Sequence, residues 1–141
     1  MTKRIRRAVV AVALALLMAT ALAGAAWAAT KVGTNDSNSM LGTGGPDKLY
    51  GLGGYDVLES KGGSDKLYGG AGRDEVYGGP GRDYLVGGSG PENWLGGGRG
   101  GDTIEAVDGE KDFIQCGAGF DVATVDEHDT AQLCEIVRHG K

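Results

Sequence analysis

The chain has 141 residues, of which 28 are glycine, whereas phenylalanine and tryptophan contribute only two residues each. This composition excludes a conventional core of large side chains, and glycine loses more backbone entropy on folding than any other residue. The formal net charge of −5 argues against nucleic-acid binding, which needs clustered cationic charge. The length predicts one domain, and that domain needs an unusual source of stability.

The first 28 residues have the features of a secretory signal peptide. A basic start at residues 3–7 precedes an uncharged apolar run at residues 8–23, and Ala26, Trp27 and Ala28 form a cleavage pattern. We expect cleavage after Ala28 and an extracellular protein. An uncleaved membrane anchor is the alternative, although the run is short for a span. The pair Arg6 and Arg7 is only a weak indication of twin-arginine rather than general export.

Cleavage would change the charge balance. It removes four of the 14 basic residues and none of the 19 acidic ones, which leaves 10 against 19, a net charge of −9. Such a chain is not expected to bind nucleic acid or an anionic membrane surface. A cation is the partner that this charge favours.

A nine-residue unit follows a short lead-in at residues 29–32 and is repeated about ten times between residues 33 and 124. Glycine dominates the first four positions of the unit, position six is acidic and position eight is aliphatic. The clearest acidic residues, each nine residues from the next, are Asp47, Asp56, Asp65, Asp74 and Asp83. The matching aliphatic residues are Leu49, Leu58, Leu67, Val76 and Leu85. A fixed short period of this kind predicts a repeat architecture.

Other copies are less regular. The first copy has Asn38 at the acidic position, and a one-residue insertion after residue 87 leaves two possible alignments. We place Asn93 at position six and Leu95 at position eight, whereas Glu92 and Trp94 form the competing alignment. The later acidic positions, which a second insertion interrupts, are Asp102, Asp112 and Asp121. The glycine pattern ends after residue 124, so residues 125–141 are interpreted as a short C-terminal cap.

One unit is long enough for a short strand and a glycine-rich turn, but it cannot bury its own aliphatic residue. Two units therefore predict a coil of 18 residues that stacks on the next coil at strand spacing. Stacking places Asp47, Asp65 and Asp83 along one edge, and Asp56 and Asp74 along the other. Because close carboxylates repel, we expect a divalent cation between successive turns. Calcium suits carboxylate and carbonyl oxygens better than magnesium, and zinc would require more Cys and His.

The pattern G-G-x-G-x-D-x-U-x resembles the haemolysin-type calcium-binding nonapeptide of RTX proteins. The resemblance implies an all-β fold, a right-handed parallel β-roll or β-solenoid, with several calcium ions along both turn edges. It implies side-chain ligands at the position-six residues, with weaker sites where Asn38 and Asn93 replace aspartate. The predicted signal peptide departs from RTX toxins and proteases, and the chain resembles small exported repeat proteins of actinobacteria instead.

Two cysteines, Cys116 and Cys134, lie 18 residues apart. Eighteen residues is one predicted coil, so their Cα atoms could stack within the range of a disulfide. In an exported chain we predict that they form a disulfide and that this bond holds the C-terminal cap against the preceding coil. Two free thiols and intermolecular pairing are the alternatives.

The leading functional hypothesis is a secreted, monomeric calcium-binding protein whose β-roll folds around the ions. An adhesive protein that binds a cell-wall polymer or another protein is the alternative, with Tyr50, Tyr68 and Tyr77 as a possible aromatic surface. Those tyrosines are more simply explained by stacking between strands. His128 lies in an acidic run that is more typical of a solvated turn than of a catalytic group, so no enzyme is predicted.

Overall fold

The computed structural model describes residues 27–141, so residues 1–26, nearly all of the predicted signal peptide, lie outside the described part. The strands, in chain order, are β1 (Thr30–Val32), β2 (Ser39–Leu41), β3 (Lys48–Gly53), β4 (Val57–Glu59), β5 (Lys66–Ala71), β6 (Glu75–Pro80), β7 (Tyr84–Ser89), β8 (Trp94–Gly100), β9 (Thr103–Ala106), β10 (Phe113–Gly119), β11 (Val122–Val125), β12 (Thr130–Gln132) and β13 (Ile136–His139). No helix in this described range is long and apolar enough to cross a membrane.

The strands form two parallel sheets. The odd-numbered strands make a seven-stranded sheet and the even-numbered strands a six-stranded sheet, each in sequence order. Every second strand therefore pairs with the strand one coil later, and Leu49 stands directly beside Leu67. This is the parallel β-roll with about 18 residues per coil that the repeat predicts, and the fold prediction is confirmed.

The interior is a narrow file of aliphatic side chains between the two sheets. Each coil contributes two of them, one from each sheet, because position eight of each repeat points inward. The fully buried members are Leu49, Leu58, Leu67, Val76, Leu85, Leu95, Ile104 and Ala123. Stacking makes this file continuous, so each small repeat gains a core that it could not form alone.

The insertions change the coil length without breaking the register. β6 pairs with β8 so that Val76 lies beside Leu95, and Leu95 is fully buried whereas Trp94 is 40% exposed. The alignment with Asn93 at position six and Leu95 at position eight is therefore confirmed. The extra residue is accommodated in the turn, where it does not shift the inward-facing positions.

Many strands are longer than the three residues expected from the repeat. β3, β5, β6 and β7 each span six residues and run into the glycine positions of the following turn. Glycine allows this because Gly70, Gly79 and Gly88 take positive φ values of 115°, 90° and 100° while pairing with the neighbouring coil continues.

The last strands extend both sheets after the glycine pattern has ended. β12 pairs with β10, and β13 pairs with β11, both in parallel. Cys116 in β10 and Cys134 form the predicted disulfide, and their Cα atoms are 5.1 Å apart. The bridge ties the loop between β12 and β13 to the preceding coil.

Candidate metal centre

The position-six side chains form two rows, one along each edge where the chain turns between the sheets. One row contains Asp47, Asp65, Asp83, Asp102 and Asp121, and the other contains Asn38, Asp56, Asp74, Asn93 and Asp112. All of these except Asn38 are buried, with at most 2% of each residue exposed. The structure thus brings the ten sequence-predicted site residues together in two groups, and the five aspartates that were assigned to an edge lie on the expected edges.

One oxygen of each carboxylate joins successive coils. Oδ1 of Asp65 accepts a hydrogen bond from the backbone N–H of Asp47 at 2.7 Å, and Oδ1 of Asp83 accepts one from Asp65 at 2.9 Å. The same contact links Asp56 to Asp74 at 2.9 Å in the other row. The acidic residue therefore satisfies a buried backbone donor before any ion is considered.

The second oxygen is left without a partner in most turns. Six Oδ2 atoms are buried and accept no hydrogen bond from any described residue, namely those of Asp56, Asp65, Asp74, Asp83, Asp102 and Asp121. A buried acceptor without a donor is costly, and a buried charge without a counter-charge is more so. These oxygens require either protons or cations.

Carbonyl oxygens of the next coil approach the same places. A Cβ atom added to Gly78 would lie 2.6 Å from Oδ2 of Asp83 and 2.7 Å from the carbonyl oxygen of Gly97. At Gly69, the corresponding distances are 2.6 Å to Oδ2 of Asp74 and 2.5 Å to the carbonyl of Gly87. Gly51 and Gly97 have the same pair of oxygen neighbours. In these four turns a Cβ atom at position one would collide with this oxygen pair, whereas Ser60 and Cys116 occupy position one in two other turns.

The donor set fits calcium. It combines carboxylate and carbonyl oxygens, the ligands that calcium accepts in flexible geometry. Within residues 27–141, no group of three or more His, Cys, Asp or Glu side chains lies close enough to hold a metal. Backbone carbonyls would therefore have to supply much of the coordination.

Burial raises the pKa of several of these carboxyl groups. Loss of hydration is the main cause, and it raises the pKa of Asp74 and Asp102 to about 6 and that of Asp83 and Asp112 to about 7. Neighbouring aspartates in the row raise these pKa values further, whereas the Oδ1 contacts to backbone N–H groups oppose the shift. The metal-free rows are thus poorly suited to holding full negative charge.

A family model described as "RTX calcium-binding nonapeptide repeat (4 copies)" matches residues 32–67 and 59–91. Residues 32–91 therefore match the RTX calcium-binding nonapeptide repeat. Neither the curated proteins nor the solved structures gave a match to this chain. The family recognition made from the nonapeptide is confirmed, and the RTX repeats hold calcium as a family property.

Not every RTX turn has an unpartnered oxygen. Oδ2 of Asp47 accepts hydrogen bonds from the backbone N–H and hydroxyl of Thr43. Asp112 is contacted by the side chain of Asn93. At the position-one residue Ser60, the hydroxyl donates to the carbonyl of Gly78. Sequence reasoning missed these internal partners because they depend on side-chain direction inside the turn.

The rows also continue beyond the last RTX repeat. Oδ1 of Asp129 accepts from the backbone N–H of Asp112 at 2.8 Å, and Oε2 of Glu135 accepts from Asp121 at 2.8 Å. A signal was present in the sequence, since Asp129 lies 17 residues after Asp112, close to one coil. This continuation is hard to recognise in the sequence because the segment lacks the glycines of the repeat.

His128 contacts the neighbouring acidic side chain of Asp126. Its Nδ1 lies 3.3 Å from Oδ1 of Asp126, and the same oxygen accepts the backbone N–H of His128 at 2.9 Å. Asp126 also accepts hydrogen bonds from the backbone N–H groups of Asp108 and Gly109. These contacts hold a surface turn together at the end of the roll.

Proposed function

We propose that this protein is a secreted calcium-binding protein whose β-roll folds around ions held by aspartate side chains and turn carbonyls. The observation that carries the proposal is the set of six buried Oδ2 atoms without a partner. When bound, calcium would supply positive charge and accept these oxygens together with backbone carbonyls.

The strongest sites in this proposal combine the unpartnered oxygen with an open glycine at position one. Asp56, Asp74, Asp83 and Asp102 meet both conditions. Asp65 and Asp121 keep the free oxygen, but Ser60 and Cys116 replace the position-one glycine in their turns. We therefore propose four strong sites and two weaker ones, with an affinity of ~10⁻⁴ M per site that suits extracellular calcium.

Magnesium is a poorer candidate for the same turns. It demands near-octahedral geometry at short distances and gives up its water reluctantly. The turn oxygens belong to two coils whose separation is fixed by strand pairing, so they cannot contract around a small ion. Selectivity for calcium follows from this rigidity.

The direct test counts bound ions. Isothermal titration of the metal-stripped protein should give four to six calcium ions per chain, from the count of unpartnered oxygens, and no comparable binding of magnesium. Fractionation of the source cells should recover the protein in the medium or at the cell surface, with its N-terminus close to Ala29. Binding of no calcium would overturn the metal proposal, and an intracellular protein would overturn the secretion proposal.

An adhesive role is a second candidate that one feature of the surface favours. Tyr50 and Tyr68 stack with ring centroids 4.9 Å apart, and Tyr84 meets Tyr68 edge-on at 6.0 Å, on the outer face of the seven-stranded sheet. Lys48 and Lys66 lie exposed in the same strands, and the ion pairs found within the described range involve neither of them. Aromatic and cationic groups in a row could bind an acidic wall polymer.

Retention on isolated cell-wall material tests this second role. Binding that requires calcium and is lost in a variant with Tyr50→Ser and Tyr68→Ser would support adhesion. Equal recovery of the variant and the parent protein on the wall material would contradict it.

A further inference from the structure

The row that contains Asp56 and Asp74 changes its chemistry at Asn93. Asn93 is fully buried, and its Oδ1 accepts a hydrogen bond from the backbone N–H of Asp74 at 2.8 Å. That contact fixes which way the amide faces, because only the oxygen of an amide side chain can accept a hydrogen bond. Nδ2 must therefore point to the opposite side, where aspartates have their second oxygen.

The amide nitrogen finds two oxygen partners there. Nδ2 donates to the carbonyl oxygen of Gly90 at 3.0 Å and lies 3.5 Å from Oδ2 of Asp112 in the next coil. One coil earlier, Oδ2 of Asp74 occupies the equivalent position and has no partner. The amide N–H groups, which carry partial positive charge, thus face one carboxylate oxygen and one carbonyl oxygen. The same two kinds of oxygen come together in the other turns.

The insertion in this turn makes the contact with Gly90 possible. Gly90 is three residues before Asn93, whereas the corresponding Gly72 is only two residues before Asp74. A Cβ atom added to Gly87, the position-one residue, would meet Nδ2 of Asn93 at 3.2 Å and Oδ2 of Asp112 at 3.5 Å. The position-one space in this turn is therefore bordered by the amide rather than by a bare oxygen pair.

After Asn93, the carboxylate oxygens of this row have hydrogen-bond partners within the protein. Asp112 donates its backbone N–H to Oδ1 of Asp129 at 2.8 Å, and Oδ2 of Asp129 accepts from Asp126 at 2.8 Å. The opposite row differs, because Asp102 and Asp121 keep unpartnered Oδ2 atoms. The two edges of the roll are thus unequal in its second half.

We propose that the Asn93 amide takes the place of a cation, so that this row binds calcium before Asn93 and holds together without calcium from Asn93 onward. The inference rests on the proposed calcium binding and specifies the residue at which calcium binding ends along this row. It gives a roll with ions on both edges of its first half and on one edge of its second half.

The substitution Asn93→Asp tests this directly in the purified protein. It replaces the donor by a second buried oxygen, so titration should count one more calcium ion than in the parent protein. The variant should also show less β signal than the parent protein at calcium concentrations below the folding midpoint, and it should recover that signal in excess calcium. Asn35→Asp, which adds the same charge at an exposed position outside the rows, should leave the ion count unchanged.

A second pair of substitutions covers the case in which Asn93→Asp does not fold. Asp74→Asn should lower the ion count by one, whereas Asp112→Asn should leave it unchanged because its carboxylate faces the amide. An unchanged count in Asn93→Asp, or the loss of an ion in Asp112→Asn, would overturn the inference while calcium binding by the parent protein stood. A parent protein that binds no calcium would overturn the proposed function itself and this inference with it.

Discussion

The two oxygens of a position-six aspartate have different tasks in this protein. Oδ1 accepts the backbone N–H of the preceding coil, as Asp83 does for Asp65. Oδ2 is buried without a donor in six of the turns. One side chain therefore both joins the coils and creates the need for a cation. Replacing it by asparagine keeps the first role and removes the second, so this change should have opposite effects on stability with and without calcium.

Asp83→Asn is the clearest test at this scale. In chelator, the variant should be more stable than the parent protein by about 1–3 kcal/mol, because a buried unpaired charge is removed. In excess calcium it should be less stable, because a ligand is lost. Far-UV circular dichroism measures the difference in chelator, as a larger β signal in the variant than in the parent protein, and thermal unfolding measures it in excess calcium. A loss of stability in both buffers would contradict the assigned role.

Asp47→Asn is the matched control in the same row. Thr43 already satisfies Oδ2 of Asp47, and Oδ1 accepts the backbone N–H of Ala29 at 2.6 Å. The substitution should cost about 1 kcal/mol in both buffers, because it disturbs hydrogen bonds but removes no ion ligand. The calcium count should be the same as in the parent protein.

The raised carboxyl pKa values predict a pH dependence of the calcium-free protein. Asp74, Asp83, Asp102 and Asp112 hold protons up to about pH 6 to 7 when folded, whereas unfolded aspartates release them near pH 4. The folded state therefore binds more protons in this interval, and its stability falls as the pH rises from about 4 to about 7. The β signal of the calcium-free protein in far-UV circular dichroism should decrease across this range.

Calcium should reverse that trend, because ion binding requires the ionised carboxylates. Above about pH 7 the calcium-bound protein should be more stable than the calcium-free protein, and the difference should shrink as the pH falls through 6. A calcium-free protein whose stability rises with pH over the same range would contradict the assigned burial of these groups.

At the scale of the turn, the position-four glycines set how closely coils can stack. Gly81 has a φ of 151°, and a Cβ atom there would overlap the carbonyl oxygen of Gly63 in the preceding coil. Gly81→Ala should therefore destabilise the calcium-bound protein by more than about 2 kcal/mol, since the backbone of one coil must move. Thermal unfolding in excess calcium measures this.

The substitution Gly109→Ala separates the cost of a positive φ from the cost of a collision between coils. Gly109 also has a positive φ, 86°, but an added Cβ atom would meet nothing within 4 Å. Its substitution should cost only about 1 kcal/mol, the cost of the left-handed conformation. Equal losses in the two variants would show that coil stacking does not depend on the position-four contact.

The period of nine residues was sufficient to predict the two parallel sheets, the inward file of aliphatic residues and the two rows of acidic residues. Each of these follows from which positions recur at a fixed interval, and Leu49, Leu67 and Leu85 illustrate this in successive coils. The alignment of Asn93 was predictable too, because only that choice places Leu95 in the file.

The details inside each turn could not be predicted in this way. Leu52 and Lys61 adopt positive φ values of 81° and 77° at positions where other repeats have glycine. Ser60, Thr43 and Asn93 satisfy polar atoms through contacts that depend on side-chain direction, which a residue pattern does not specify. The same is true of the acidic rows beyond residue 124, where β12 and β13 continue the sheets without the glycine pattern.

At the scale of the whole molecule, the disulfide secures the C-terminal end of the roll. It links Cys116, buried in the core file, to Cys134 across 18 residues. Replacing both cysteines by alanine should lower the free energy of unfolding by ~3 kcal/mol, mainly by freeing the unfolded chain. Denaturant unfolding in excess calcium measures the loss, and reduction of the parent protein should reproduce it. An unchanged unfolding midpoint would show that the end is held by strand pairing alone.

Folding around calcium is tested most directly by far-UV circular dichroism of the purified, metal-stripped protein during a calcium titration. Glycine entropy and buried carboxylates both oppose folding without the ion, so we predict a disordered spectrum in chelator above about pH 7. Calcium should convert it cooperatively to a β spectrum with a midpoint of ~10⁻⁴ M, and magnesium at the same concentration should not. A β spectrum that persists in chelator, or no β spectrum in excess calcium, would contradict a roll that folds around its ions.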